Sequence, residues 1–479
     1  MMPDKYDLVV IGGGSAGLVA AGGAGLLGAR VALIERNLLG GDCLWTGCVP
    51  SKALIRSARF ASDARRAAQF GFALPDVKFA DGRFASVTRR VSDVISAIEP
   101  HDSPERFEAM GVEVVFGTPR FSNEREITVD LKEGGTRTFA ARRICIATGS
   151  RAAVPPIEGL RDAGFITNEE VFGLEELPGR LVVLGGGAIG VELGQAFARL
   201  GSRVTLIEMA DRILLKEDEE VSRFAEEILR RDGVDVLTGK TVTTVAPDRS
   251  VTLDDGTTIG CDLILVAVGR RPNVDGLDLE RAGVRYSAQR IETDAYLRTT
   301  NRRVFAAGDV TGHFQFTHTA DYEAQIVLQN AFLFFPLTKK TDFRVVPCAT
   351  FTEPEIARVG LTEKEARERH GKIKVYRAGF DDNDRAHAEG EPTGFAKIIV
   401  NGRKIVGAHI VGPSAGELIH EFVIAMRHGL SLDDLNKAIH VYPTLSKITP
   451  AIVTEKTMAT LASPTVRKWF RRYLGMLRG

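Results

Sequence analysis

One pattern occurs twice in this chain, and it limits what the chain can fold into. Tyr6 to Ile11 is an apolar run that stops at Gly12-Gly13-Gly14-Ser15-Ala16-Gly17, and an alanine-rich stretch then leads to Val31-Ala32-Leu33-Ile34-Glu35. Leu181 to Leu184 starts the pattern again with Gly185-Gly186-Gly187-Ala188-Ile189-Gly190, a helical stretch to Leu200, and Val204-Thr205-Leu206-Ile207-Glu208. The interval from the first glycine to the closing glutamate is the same in both copies. A strand, a glycine turn, a helix and a second strand make a βαβ unit with parallel strands.

The spacing gives each glycine a task. Gly12 and Gly185 make the tight turn, Gly14 and Gly187 let the backbone approach a pyrophosphate, and Gly17 and Gly190 let helix and strand pack closely. The helix N-terminus then favours the phosphate charge. Glu35 and Glu208 stand where a carboxylate accepts hydrogen bonds from an adenosine ribose. Two complete copies predict two bound dinucleotides and an α/β fold with two Rossmann-like domains. Glu208 would repel a 2′-phosphate, which favours NADH over NADPH at the second site, while Arg203 and Arg212 flank that strand and could accommodate one.

Three later strand ends repeat the theme of an apolar run stopped by glycine, where backbone can approach a ligand. They are Ile144-Cys145-Ile146-Ala147-Thr148-Gly149, the run from Leu263 to Val268 ending at Gly269-Arg270-Arg271-Pro272-Asn273, and Val304-Phe305-Ala306-Ala307-Gly308-Asp309.

Composition excludes several function classes. The chain has 479 residues, about three domains at roughly 150 residues each. Its 62 lysines and arginines balance 62 aspartates and glutamates, which argues against a general nucleic-acid coat. Hydrophobic content of 44% and charged content of 26% exclude a disordered chain. No apolar run approaches the roughly 18 residues of a membrane helix, and the first lacks a signal peptide's cleavage site. Five cysteines are too sparse for a secreted disulfide scaffold. The cytoplasm is the expected location.

Two of those cysteines carry chemistry. Cys43 and Cys48 lie in Gly40-Gly41-Asp42-Cys43-Leu44-Trp45-Thr46-Gly47-Cys48-Val49-Pro50-Ser51-Lys52. Their spacing is wrong for a zinc knuckle and no second Cys/His pair follows suitably, so no resident metal is expected. A merely structural disulfide is out of place in the cytoplasm. A redox-active pair fits better: a helix starting near Pro50 would set its positive end beside Cys48 and favour the thiolate. Cys145, Cys261 and Cys348 sit in apolar strand contexts and read as core cysteines.

The two glycine motifs, the cysteine segment, Ala147-Thr148-Gly149, Gly269 to Asn273, Ala307-Gly308-Asp309 and Thr352-Glu353-Pro354-Glu355-Ile356-Ala357 together resemble the FAD-dependent pyridine nucleotide–disulfide oxidoreductases. That family includes dihydrolipoamide dehydrogenase, glutathione reductase and mercuric reductase, and the resemblance spans nearly the whole chain. It implies an FAD-binding domain in two segments, 1–150 and 272–344, around an NAD(P)-binding domain, 151–271. An α+β dimerisation domain over 345–463 follows, with a basic amphipathic segment at 464–479, and the implied assembly is a homodimer. It also implies residue roles. Cys48 matches the thiol beside the flavin that forms a charge-transfer complex, and Cys43 the interchange thiol facing substrate. Lys52 and Glu192 match the pair near the flavin N5 and the nicotinamide, and Asp309 the acid at the ribityl–phosphate region. Electrons would pass from nicotinamide through flavin to the Cys43–Cys48 disulfide and on to a small-molecule or metal-ion acceptor.

The match fails at one informative place. Disulfide reductases of the family place a His–Glu dyad in a His-Pro-Thr-x-x-Glu-like stretch, whereas this chain has His440-Val441-Tyr442-Pro443-Thr444-Leu445-Ser446-Lys447. Tyr442 therefore stands for the histidine and Lys447 for its glutamate. A tyrosine titrating near pH ~10 is a poor proton shuttle for a leaving thiolate at neutral pH, which disfavours lipoamide or glutathione disulfide. A tyrosine here resembles mercuric reductase, although the neighbouring cysteine pair that delivers metal in those enzymes has no counterpart after Cys348. His440 is the substitute base if one exists, a structural hydrogen bond being the alternative. The expected function is thus mercuric-reductase-like. The alternatives are a dihydrolipoamide-dehydrogenase-like enzyme, a low-turnover redox sensor, or a diaphorase feeding quinones.

The segment Arg467-Lys468-Trp469-Phe470-Arg471-Arg472-Tyr473-Leu474-Gly475-Met476-Leu477-Arg478 contains no acid. On a helical wheel its five cations fall within an arc of about 140° and its six large apolar residues within about 160° on the other side. Such a helix either lies on an anionic membrane surface, placing the protein at the inner face of the membrane, or docks on the protein's own body.

Overall fold

The computed structural model describes residues 4–478. The chain forms two compact units, Met1–Asp211 with Asp232–Asp342, and Arg212–Arg231 with Phe343–Gly479. The α/β class expected from the glycine patterns is observed.

In the first unit the glycine-motif strand is central. Leu8 to Ile11 of β1 (Asp4–Ile11) run parallel between Val31 to Ile34 of β2 (Val31–Glu35) and Arg143 to Ile146 of Thr136–Ile146. Val112–Asn123 extends the sheet beyond β2, and Val304–Ala306 lies parallel to Ile144–Ile146. The segments 8–11, 31–34, 144–146 and 304–306 are buried on both faces, so they read as unbroken apolar runs rather than alternating ones. Helix α1 (Ser15–Leu26) and Thr317–Phe332 cover one face through Leu18, Ala21, Ala24, Ala324 and Val327. Val9, Ile11, Ile144 and Ile146 pack into the core of the opposite face.

The second copy repeats this on its own sheet. β3 (Arg180–Leu184) lies parallel between Leu263–Val266 and β4 (Arg203–Glu208), with Val234–Thr238 beyond. Both glycine turns thus leave the carboxyl end of a central parallel strand, where open α/β sheets bind ligands.

The second unit holds a five-stranded antiparallel sheet in the order Pro347–Thr350, Glu355–Gly360, Lys404–Gly412, Phe395–Asn401, Lys374–Gly379. Ala415–His428 and Ile448–Leu461 supply Ile419, Phe422, Ile448 and Ile452 to its core. Among the described residues no helix is long and apolar enough to cross a membrane.

Candidate active site

The first glycine turn is built as its spacing predicts. Gly12 has φ +105°, and a Cβ there would come within 2.4 Å of the Ala147 carbonyl oxygen. A Cβ on Gly17 would lie 1.8 Å from the Gly12 carbonyl, so a side chain would force α1 off the strand. Gly185 and Gly190 repeat both constraints, at 2.5 Å from the Ala267 oxygen and 2.0 Å from the Gly185 oxygen. Gly14 and Gly187 differ in kind: a Cβ on Gly14 would meet only Gly41 Cα at 3.8 Å, and one on Gly187 nothing within 4 Å. Each is the N-cap of its helix and neither helix start has a side-chain cap. The first-turn N–H groups can therefore serve an anion.

The closing glutamates are held alike. Glu35 accepts from Gly13 N and Asn37 N, both at 2.7 Å, and Glu208 from Gly186 N at 2.6 Å and Ala210 N at 2.8 Å. Each carboxylate is thus fixed beside its glycine turn. Arg203 starts β4 at the end opposite Glu208. Arg212 donates to the carbonyls of Leu215 and Glu217.

Thr148, Gly149 and Asn273 form a second cradle. Thr148 Oγ1 donates to the Asn273 carbonyl at 2.7 Å, and Asn273 Nδ2 to the Thr148 carbonyl at 2.9 Å. Gly149 and Gly269 have positive φ, and a Cβ on either would meet nothing within 4 Å. Arg270 donates to Ser150 Oγ at 2.7 Å and pairs with Asp42 at 3.2 Å, while Ser150 Oγ donates to Asp309. Burial pushes the Asp309 carboxyl up, against the opposing pull of Ser150 and Arg270. Glu323, which the sequence did not single out, holds this loop by accepting from Gly308 N at 2.7 Å. Room at Gly14, uncapped donors, a fixed glutamate and a desolvated acid fit an FAD. Gly187, Glu208 and Gly269 likewise fit a pyridine dinucleotide.

Cys43 lies in α2 (Gly41–Trp45), and Cys48 opens α3 (Cys48–Arg65), two residues earlier than the expected start at Pro50. The two side chains lie within hydrogen-bonding reach of each other. The hydrogen bond from Cys43 lowers the Cys48 thiol to about 6 despite burial, helped by the Thr317 hydroxyl and the Lys52 charge. Cys48 Sγ is 3.3 Å from Thr317 Oγ1. Cys43 shifts the opposite way, upward, through the same hydrogen bond, burial and the neighbouring Cys48 charge. Cys48 is therefore the thiol of the pair that ionises first. No sequence pattern marks Thr317, which a distant helix brings in.

One turn along α3, Lys52 Nζ lies 2.9 Å from Glu192 Oε2 on α4 (Ala188–Leu200). The two were paired by resemblance alone, and the fold brings them together from 140 residues apart.

The second unit holds the divergent stretch. Tyr442 is 67% exposed and its hydroxyl donates to Asp384 Oδ2 at 3.0 Å, which raises its pKa further from neutrality. It borders a cleft of about 220 Å³ with Asn383, Pro443 and Lys447. His440 is tied at both ring nitrogens, Nε2 to Glu421 at 2.9 Å and Nδ1 to the Ala438 carbonyl at 3.1 Å. Thr449 completes the tie by donating to Glu421 at 2.7 Å. Both groups facing the ring are acceptors, so a neutral His440 donates to only one of them, and the Glu421 contact anchors the ring in place.

Cys145 and Cys261 are buried in their cores as expected. Cys348 departs from the expected apolar setting: its Sγ is 4.0 Å from Glu217, which pairs with Arg358 at 2.9 Å. Burial and the Glu217 charge push that thiol up to about 12, leaving it unreactive.

Residues 6–324 match the pyridine nucleotide-disulphide oxidoreductase family, and residues 346–452 that family's dimerisation domain. The chain is 36% identical to a mercuric reductase of Staphylococcus aureus over 452 residues, covering 92% of this chain and 81% of the relative. It is 33% identical to a dihydrolipoyl dehydrogenase of Mycobacterium leprae over 459 residues, covering 92% and 96%. Among solved structures, a Cu(II) complex of the HOCl-induced flavoprotein disulfide reductase RclA from Escherichia coli superposes with a TM-score of 0.85. That pair is 30% identical, over 94% of this chain and 99% of the other.

Proposed function

The chain belongs to the pyridine nucleotide-disulphide oxidoreductases, FAD-dependent enzymes that use NAD(P)H, and from that premise we propose that it reduces a thiol-bound soft metal ion. FAD binds to residues 1–150 and 272–344, the pyridine nucleotide to 151–271, and residues 345–463 join two copies into a dimer. NADH is the preferred donor, because the Glu208 carboxylate fixed at the turn would repel a 2′-phosphate. Bound FAD would relay the electron pair between nicotinamide and the Cys43–Cys48 disulfide.

The chain's own residues do the rest. Lys52 and Glu192 orient the junction between the two dinucleotides. The reduced pair offers Cys48, a thiolate near neutrality, and Cys43 as the thiol facing the acceptor. A divalent mercury ion carrying two exogenous thiolates exchanges them for Cys43 and Cys48. The balance is one hydride from NADH and one solvent proton, with the metal accepting two electrons and its two former ligands leaving as thiols. The displaced thiolates take their protons from the incoming cysteine thiols and from solvent, so the missing histidine costs this reaction less than it costs disulfide reduction.

The observation that carries this proposal is the state of the divergent stretch. Tyr442 stands where the dyad's histidine would and is held by Asp384, and His440 is anchored to Glu421. That combination suits metal reduction and handicaps disulfide reduction.

The test is to titrate the reduced, FAD-loaded protein with mercuric ion in excess thiol and to follow NADH-driven reduction. The expected result is uptake of one metal ion per cysteine pair, and a fall of about a hundredfold or more in turnover for Cys43→Ser and Cys48→Ser. Undiminished metal reduction by Cys43→Ser would overturn the proposal.

A further inference from the structure

Helix α5 (Pro464–Arg478) takes no part in the redox chemistry and buries none of its residues. Elsewhere in this unit an amphipathic helix pays its way by burial, as Ala415–His428 does with Ile419, Phe422 and Ala425. In α5 the apolar face stays open: Trp469 is 63% exposed, Met476 74% and Leu477 65%, with Phe470 and Tyr473 also exposed. The Trp469 ring stacks on Tyr473 at 5.7 Å, forming an aromatic ridge one helical turn long. The other face carries Arg467, Lys468, Arg471, Arg472 and Arg478 without an intervening acid. Because the chain is neutral overall, these cations stand against a body of net negative charge.

We propose that α5 docks the protein on an anionic lipid surface, with its apolar face at the acyl boundary and its cations among the headgroups. Charge complementarity selects this occupant. An anionic bilayer offers an apolar layer and a layer of negative charge in one plane, matching the two arcs of the helix. Aromatic rings suit the interface between those layers. Fifteen residues make about 22 Å of helix, short of the ~20 apolar residues that a span requires, so the helix lies in the surface. A protein groove would need an apolar floor flanked on one side by acids enough to match five cations. The identity of the electron acceptor does not enter this argument.

The test uses the full-length, FAD-loaded protein sedimented with phosphatidylcholine vesicles, with and without phosphatidylglycerol. The account expects about tenfold or greater partition onto the anionic vesicles, weakened by salt. A blue shift of tryptophan emission should accompany it and be absent in Trp469→Phe. Arg471→Glu/Arg472→Glu and Phe470→Asp/Leu477→Asp should each abolish sedimentation while leaving NADH oxidation unchanged. Equal partition onto neutral vesicles, or binding that survives both double variants, would overturn the proposal. A particle mass in solution that falls in those variants, without any vesicle binding by the parent, would also overturn it and assign the face to a second copy of the chain.

Discussion

Lys52 Nζ stands 2.9 Å from Glu192 Oε2, linking the helix that opens with Cys48 to the helix that follows the second glycine turn. The lysine is about one-third exposed, whereas the glutamate is nearly buried. One side chain thus couples the thiol pair, through the Lys52 charge on Cys48, to the pyridine-nucleotide half of the unit.

Replacing Lys52 tests that coupling. Lys52→Met leaves the Glu192 carboxylate without this partner and should cost about 1–2 kcal/mol in urea unfolding of the FAD-loaded protein. It should also slow reduction by NADH about tenfold or more in stopped flow, with Lys52→Arg recovering much of the loss. A Lys52→Met enzyme with parental stability and parental reduction would show that the pair matters to neither.

The acidity of Cys48 sets a pH dependence. Its thiol is lowered to about 6, so the thiolate is present above that pH and is lost as pH falls through it. Alkylation of the reduced protein should follow a midpoint near there. Thr317→Val removes the 3.3 Å contact, and Cys43→Ala the thiol donor, so both should move the midpoint upward. Because the folded value lies below the unfolded one, the ionised Cys48 thiol stabilises the reduced fold near neutrality, a contribution lost as pH falls through about 6 and opposed at alkaline pH by the raised Cys43 thiol. A midpoint that neither variant moves would contradict the assigned causes.

The divergent stretch offers a gain of function. Tyr442→His combined with Lys447→Glu restores the residue types of the family's dyad. If the missing base is what limits disulfide chemistry, lipoamide turnover should rise about ten- to a hundredfold, with metal reduction changed far less. No rise in a folded double variant would place the limitation elsewhere.

The proposed preference for NADH assigns nucleotide choice to Glu208, which accepts backbone hydrogen bonds from Gly186 and Ala210. Glu208→Ala should raise KM for NADH about tenfold and narrow the NADH over NADPH preference. Equal use of both cofactors by the parent enzyme would remove the premise.

Much of this architecture was legible because its constraints are local. Gly12 needs a positive φ, and Gly17 admits no side chain against the Gly12 carbonyl, so both are written into adjacent residues and repeated at Gly185 and Gly190. The Lys52–Glu192 contact was reached only through family resemblance, since nothing in either segment names the other. Thr317, Ser150, Arg270 and Glu323 were not assigned roles, because their partners come from strands and helices far apart in sequence. His440 shows the limit most clearly. Its place two residues before Tyr442 invited a catalytic role, but the contacts to Glu421 and through it to Thr449 that anchor the ring come from residues that only the fold brings together.

The central claim is that this site reduces a thiol-bound metal ion in preference to a disulfide. Steady-state NADH oxidation by the FAD-loaded protein, with mercuric ion in excess thiol set against lipoamide and with Cys43→Ser as control, tests it most directly. The account predicts rapid, Cys43-dependent turnover with the metal and little with lipoamide. Rapid, Cys43-dependent turnover with lipoamide and none with the metal would contradict it.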